Sequence, residues 1–338
     1  MLRSAVLGVG YIGRRHCEIL LQHPQTTLAA VADPDSDRLK GLKDQGVPIY
    51  GSLTELLRQS DAEVIHICTP NYLHTLQALE ALEAGRHVVI EKPMGLESRA
   101  CEAVVQKATA LQRKVFVVMQ NRFTPTAVWL KELLDSRALG RLYMVQVNCF
   151  WNRDDRYYHT GGWRGRRELD GGVLYTQFSH FIDILYWLLG PLYIDHRMLK
   201  NLAHQHNTDM ADSGHVLFSL PGQPTLGSLH FSTAVYQTNL ESSITLIGEK
   251  GTVRIAGQYM NDLVYCEIEG VKAPSLPTGE PPNQYGAYQG SAANHHYIIQ
   301  NVVDTLLHGR QPSISGEDGA AVVRLIEEMY RSSGPIHS

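Results

Sequence analysis

The stretch Ser4-Ala5-Val6-Leu7-Gly8-Val9-Gly10-Tyr11-Ile12-Gly13 decides how this chain is read. A short apolar strand runs into three glycines at Gly-x-Gly-x-x-Gly spacing, and Tyr11 to about His23 then carries helical periodicity. The first glycine permits a tight turn, the second lets a pyrophosphate reach the backbone, and the third lets the helix pack on the strand. The helix N-terminus then turns its N–H groups toward the phosphates. The next strand, Thr27–Asp33, ends in a carboxylate about 20 residues on, the place of a group that binds both ribose hydroxyls. A carboxylate there repels a 2′-phosphate, so the expected cofactor is NAD rather than NADP. Arg14 and Arg15 are the cations that could soften this preference.

Working outward, strands and helices alternate. Leu53–Arg58 reads as a short helix, Val64–Thr69 as a strand, and Leu73–Ala84 as a helix closed by Gly85. His87–Glu91 reads as a strand, Glu97–Leu111 as a helix and Val115–Gln120 as a strand. The strands are continuous apolar runs, as in a parallel sheet covered on both faces. After about residue 122 the grammar changes. A helix over Pro125–Ser136 and a strand over Tyr143–Phe150 lead into an aromatic, arginine-rich loop from Trp151 to Asp170. A helix follows over Gly172–Leu189. Alternating strands then run from His215 to Ile268, with turns at Pro221-Gly222 and Glu249-Lys250-Gly251, which is the pattern of a mostly antiparallel sheet. Lys272–Gly290 reads as a long surface loop, and helices near His295–His308 and Glu317–Arg331 close the chain. The expected fold class is α/β, with a dinucleotide-binding domain over 1–122 and a second α/β domain over 123–338.

Composition narrows the partners. The chain has 338 residues, enough for two domains. With 43% hydrophobic residues and a net charge of −4, it has material for real cores and no field for a polyanion, so no nucleic-acid partner is expected. No apolar run is long enough for a leader or a membrane span. The five cysteines are scattered without Cys-x-x-Cys, as suits reduced thiols. A cytoplasmic protein without membrane partners is the expectation.

Two strand ends carry candidate chemistry. Cys68-Thr69-Pro70-Asn71 and Glu91-Lys92-Pro93 both sit at carboxyl ends of parallel strands, where ligands of open α/β sheets bind. A lysine there can act as proton acceptor once desolvation disfavours its charge; the plain alternative is a surface lysine paired with Glu91. Farther on, His180 is expected to share a helix face with Thr176 and Asp183. A histidine there can pass protons near neutral pH, or it can be a core residue bonded to Asp183. His204-Gln205-His206 and His295-His296 lack the spacing of a zinc motif, so no metal is assigned.

Together these residues resemble the Gfo/Idh/MocA oxidoreductases, the glucose–fructose oxidoreductase and inositol dehydrogenase family. The matching motifs are Gly8-x-Gly10-x-x-Gly13, Thr69-Pro70-Asn71-x-x-His74, Ala84-Gly85-x-His87-Val88-x-x-Glu91-Lys92-Pro93, Gly171-Gly172 with His180-x-x-Asp183, and Gly248-x-x-Gly251-Thr252. The resemblance implies a Rossmann domain, then a C-terminal α/β domain whose large, mostly antiparallel open sheet often joins subunits, hence a homodimer or homotetramer. It implies NAD held by Gly8, Gly10, Tyr11, Ile12, Gly13, Asp33, Arg38, Thr69, Pro70, Asn71, His74, Glu91, Lys92, Gln120, Trp163 and Arg164. It also implies hydride transfer at a sugar carbon, with Lys92 and His180 at the reacting hydroxyl and Arg122, Trp163, Arg164, Thr176 and Gln177 toward the substrate.

The family commonly carries an acid where this chain has Thr176, and a threonine cannot take a proton at neutral pH. The UDP-sugar 3-dehydrogenases of the family also lack that acid. Gly162-Trp163-Arg164 and Leu169-Asp170-Gly171-Gly172-Val173-Leu174, with Gln177 and His180, look similar to theirs. The implied substrate is therefore UDP-N-acetylglucosamine or its uronate, oxidised at C3 ahead of a transaminase. Arg122, Arg153, Arg156, Arg166 and Arg167 could supply an anion site or be merely solvated, and Tyr285 and Tyr288 could stack on uracil or simply pack. The alternatives are a dehydrogenase of free sugars or polyols and a non-catalytic dinucleotide sensor.

Overall fold

The computed structural model describes residues 1–159, 162–284 and 289–331; Tyr285 and Tyr288 lie outside them. The chain divides into two compact units, Met1–Met119 with His295–Arg324, and Gln120–Asn294 with the residues from Leu325 onward.

In the first unit, strands β1 (Leu2–Leu7), β2 (Thr26–Ala32), β3 (Ile49–Tyr50), β4 (Val64–Ile67), β5 (His87–Ile90) and β6 (Val115–Val117) form one parallel sheet. Its order is β3-β2-β1-β4-β5-β6, the doubly wound arrangement with its switch point between β1 and β4. Register decides what this sheet can do. Leu7 lies beside Ala32 and Ile67, Ile67 beside Ile90, and Ile90 beside Val117, so these strands end in line along one edge. The residues that follow, Gly8, Asp33, Cys68-Thr69 and Glu91-Lys92, therefore gather at that edge. Helices α1 (Tyr11–Gln22), α2 (Lys40–Lys43), α3 (Leu53–Gln59), α4 (His74–Glu83) and α5 (Ser98–Ala110) connect the strands. α1 buries Cys17, Ile19 and Leu20 against Leu28, Val31 and Ile299, the last from the helix His295–His308. That packing is why a C-terminal helix belongs to the N-terminal unit. α4 ends as expected at Gly85, whose φ of 77° an L side chain rarely adopts.

The second unit holds a seven-stranded sheet in the order β13-β12-β11-β7-β10-β9-β8. Its strands are β7 (Leu142–Phe150), β8 (Tyr193–Lys200), β9 (Ser213–Leu220), β10 (Gln223–Ser232), β11 (Glu241–Gly248), β12 (Gly251–Ala256) and β13 (Asp262–Ile268). Only β7 and β10 pair in parallel; the other neighbours are antiparallel. β8 escapes sequence reading because it is an edge strand whose Asp195, His196, Arg197 and Lys200 break the apolar alternation. One face of the sheet packs under α6 (Pro125–Asp135) and α10 (Ser179–Leu189), and the unit also carries α7 (Asp155–His159), α8 (Arg167–Asp170) and α9 (Val173–Thr176). Trp151 anchors that layer, edge-on to Phe178 and Phe181, with its indole N–H donating to Ser242 at 2.9 Å. The opposite face exposes Met144, Met198, Leu217, Leu226 and Ile247.

Two sequence expectations change. The single helix over Gly172–Leu189 is two, because the N–H groups of both Gln177 and Phe178 bond the Val173 carbonyl and the ladder slips by one residue. The loop from Trp151 to Asp170 contains the short helices α7 and α8.

Candidate functional site

At the first unit's strand edge, the glycine loop is built as its spacing requires. Gly8 has φ of +85°, and a Cβ there would lie 2.8 Å from the Cys68 carbonyl oxygen. A Cβ on Gly13 would lie 1.9 Å from the Gly8 carbonyl oxygen, so any side chain would push α1 off the strand. A Cβ on Gly10, by contrast, would meet nothing within 4 Å, and no side chain caps α1 at that residue. Open space before an uncapped helix N-terminus fits a dinucleotide pyrophosphate. Tyr11 and Ile12 open the helix there. Asp33 fastens the loop to β2: its carboxylate accepts the Val9 N–H at 2.7 Å and the Asp35 N–H at 2.9 Å. Arg38 approaches the same carboxylate at 3.5 Å and Asp35 at 3.2 Å. Asp33 and Arg38 thus stand as a charged pair at the end of β2.

The β4 and β5 ends are stapled by one histidine. The ring nitrogens of His74 lie 2.7 Å from the Thr69 and Pro93 carbonyl oxygens. Burial pushes the His74 pKa down, opposed by those two contacts. Thr69 also donates its hydroxyl to Gln77, Pro70 precedes the buried Asn71, and the Lys92–Pro93 peptide is cis. Lys92 is half-buried between two anchored residues, Glu91 and Pro93.

The second unit supplies a different set. His180 is buried on α10, and the Gln120 amide approaches its Nε2 at 3.5 Å while donating to Ser291 at 3.0 Å. Asp183, one turn on, receives two bonds from Arg122 Nε and one from Nη2, at 2.6 to 3.1 Å, in a fully buried pair. The Arg122 charge is therefore balanced inside the protein. Thr176 lies on α9 rather than on the His180 helix and donates its hydroxyl to the Gly172 carbonyl at 3.1 Å. Gln177 accepts from buried Arg153 at 2.6 Å and donates to the Tyr157 hydroxyl at 2.7 Å. Arg156 forks onto Asp154, and Arg167 lies 3.7 Å from Asp209. Arg164 and Trp163 stand together, half-buried, with the guanidinium 5.4 Å from the Trp163 ring and 4.6 Å from Tyr157. Asp170 orders this segment by accepting the N–H groups of Gly165 at 2.5 Å and Gly172 at 2.8 Å. Burial outweighs those bonds and lifts its pKa to about 6.

One group escaped the sequence. His16 and His295 flank Glu91 in the first unit and His66 contacts His16, all of them buried. His16 follows Gly13 by three places on the buried face of α1, the single local signal that could have found it.

The model of an oxidoreductase family with an NAD-binding Rossmann fold matches residues 2–119, and the model of that family's C-terminal α/β domain matches residues 131–336. Among solved structures, the WlbA dehydrogenase from Bordetella pertussis, in complex with NADH and UDP-GlcNAcA, is 32% identical with a TM-score of 0.87 over 98% of this chain and 96% of its own. The WlbA dehydrogenase from Chromobacterium violaceum, with the same two ligands, is 34% identical with a TM-score of 0.87 over 100% of this chain and 97% of its own. An oxidoreductase of Synechocystis sp. is 29% identical over 83% of this chain and 77% of its own length.

The Asp33–Arg38 pair yields a binding prediction. Asp33→Ala removes the diol acceptor and releases Arg38 toward a 2′-phosphate. The ratio of NADP to NAD affinity should then rise at least about tenfold, roughly 1.4 kcal/mol, in a fluorescence titration. An unchanged ratio would show that Asp33 does not select the cofactor.

Proposed function

Because the chain belongs to the Gfo/Idh/MocA oxidoreductase family, and is on that ground an NAD-dependent sugar dehydrogenase, we propose that it oxidises C3 of a UDP-N-acetylhexosamine or of its uronate. The observation that carries this reading is the likeness over nearly the whole chain to two dehydrogenases that hold NADH and UDP-GlcNAcA. Bound NAD supplies the hydride acceptor. Lys92 takes the proton of the reacting hydroxyl, and His180 assists as a hydrogen-bonding relay. With threonine at 176, and that hydroxyl directed to the Gly172 carbonyl, no carboxylate stands there to share the proton. Trp163 and Arg164 offer a flat apolar face beside a cation, the pairing that suits a sugar or base ring next to a phosphate or carboxylate. The 3-keto product would pass to an aminating enzyme.

A second reading rests on a specific observation. Arg122 is paired with buried Asp183, and Arg156 and Arg167 lie near Asp154 and Asp209 at the surface, which leaves less unbalanced cationic charge for a diphosphate than the sequence promises. That favours a free sugar or polyol. The two readings separate in one assay: NADH formation with UDP-sugars against free sugars, each with and without UDP as competitor. The proposal expects turnover with a UDP-HexNAc or its uronate and inhibition by UDP. Lys92→Ala should cut kcat by about 10²–10⁴-fold while NAD still binds. Turnover of free sugars alone, indifferent to UDP, would select the second reading.

The open face of the seven-stranded sheet supports self-association. The register sets Met198, Leu217, Leu226, Met144 and Ile247 on one face, all exposed in the single chain. We infer that a second copy covers it, giving a dimer or a multiple of one. Light scattering should report at least a dimer, reduced in order by Leu217→Glu; a monomeric wild-type protein would refute the inference.

A further inference from the structure

Beneath the Lys92 strand end lies a buried polar cluster that the reaction as proposed leaves without a role. Glu91 Oε1 lies 3.0 Å from His16 Nε2 and 3.7 Å from His295 Nε2. Its other oxygen accepts the Lys92 main-chain N–H at 3.2 Å. His16 Nδ1 in turn lies 3.0 Å from His66 Nδ1. These groups come from α1, β4, the end of β5 and the helix His295–His308, and all four side chains are buried. Four polar residues are thus held in an apolar layer where branched aliphatics would pack at lower cost. Such a cluster persists when its charge acts on something adjacent, and the adjacent group is Lys92.

We propose that Glu91, held by His16 and His295, is the positioning residue of Lys92: it fixes the lysine's main chain and governs how readily its ammonium gives up a proton. This rests on the role given to Lys92 in the proposed reaction. Burial works against the Glu91 charge, but the His16 hydrogen bond and the Lys92 charge oppose it and hold the carboxyl below its ordinary pKa. The electrostatic coupling is mutual: a carboxylate stabilised by the Lys92 charge stabilises that charge in return. The remaining groups near it are neutral or held neutral. Burial pushes His66 well down and His295 to about 3, lowers His74, and raises the Cys68 and Cys17 thiols. His16, Glu91 and His295 are also residue types that bind zinc. A divalent cation would, however, set two more positive charges close to the Lys92 ammonium.

The test reads Lys92 directly and without substrate. Acylation of the intact protein by an amine-reactive ester is followed against pH, with label at Lys92 quantified by peptide mass spectrometry. Glu91→Gln keeps the shape and removes the charge, so the Lys92 midpoint should fall by about one pH unit or more, giving up to tenfold more label at a fixed pH below it. His16→Leu, which strips the bond that keeps Glu91 ionised, should move the midpoint the same way. His16→Gln, whose amide can still donate to Glu91, should stay near wild type, and this pair decides the matter if Glu91→Gln does not fold. Acid limbs of kcat/KM profiles should shift in parallel wherever activity is measured. A midpoint unmoved in folded Glu91→Gln or His16→Leu protein would overturn the proposal, as would stoichiometric zinc in the purified wild type. A shifted midpoint in a protein that oxidises no sugar would sink the functional reading and leave this one standing.

Discussion

A buried carboxylate at the end of a parallel strand needs hydrogen-bond donors brought to it. Glu91 finds them in His16 and in the N–H of Lys92, with His295 3.7 Å away. Much of the first unit can be understood from that requirement. α1 must start close enough to β1 for His16 to reach, which is what the bare Gly8–Gly13 contact allows. The helix His295–His308 must return to pack on α1, which Ile299 accomplishes in the shared core. The loop that admits a pyrophosphate and the network that supports Lys92 are therefore consequences of one close helix–strand contact.

The interiors of the two units manage charge differently. In the first, buried Glu91 is held by a histidine and a backbone donor and buried Asp33 by backbone donors, while surface acids such as Asp61 and Glu83 pair with Arg3 and Lys107. In the second, Arg122 is held by buried Asp183, while Arg156 and Arg167 of the arginine-rich segment lie near Asp154 and Asp209 at the surface. A buried bidentate pair such as Arg122–Asp183 gives geometry more than stability, since desolvation offsets much of its attraction. It fixes α10, and hence His180, relative to the turn Gln120–Phe123. Asp170 adds a second constraint by capping Gly165 and Gly172, and its lifted pKa marks the cost of holding a charge there.

How much of this was legible in the sequence follows from range. The glycine loop, the acid ending β2 and the lysine after β5 each occupy a few consecutive residues, so spacing alone exposed them, and with them the doubly wound fold and its NAD cofactor. The mostly antiparallel second sheet was also readable, from alternation and turn residues. What stayed hidden was assembled across the chain. His16, His66 and His295 carry no shared motif, and only the packing of four elements around Glu91 unites them. The Arg122–Asp183 pair spans 61 positions, a separation that no local spacing reveals. The break after Thr176 depends on one slipped backbone bond, which no periodicity records.

The account's central claim is that Lys92 receives the proton from a UDP-sugar hydroxyl at C3. A crystal structure of the protein with NAD and UDP-GlcNAcA tests it most directly. The account predicts the Lys92 Nζ within hydrogen-bond reach of the C3 hydroxyl, about 2.7–3.2 Å. A bound sugar presenting another carbon, or a Lys92 side chain turned away from it, would contradict the claim.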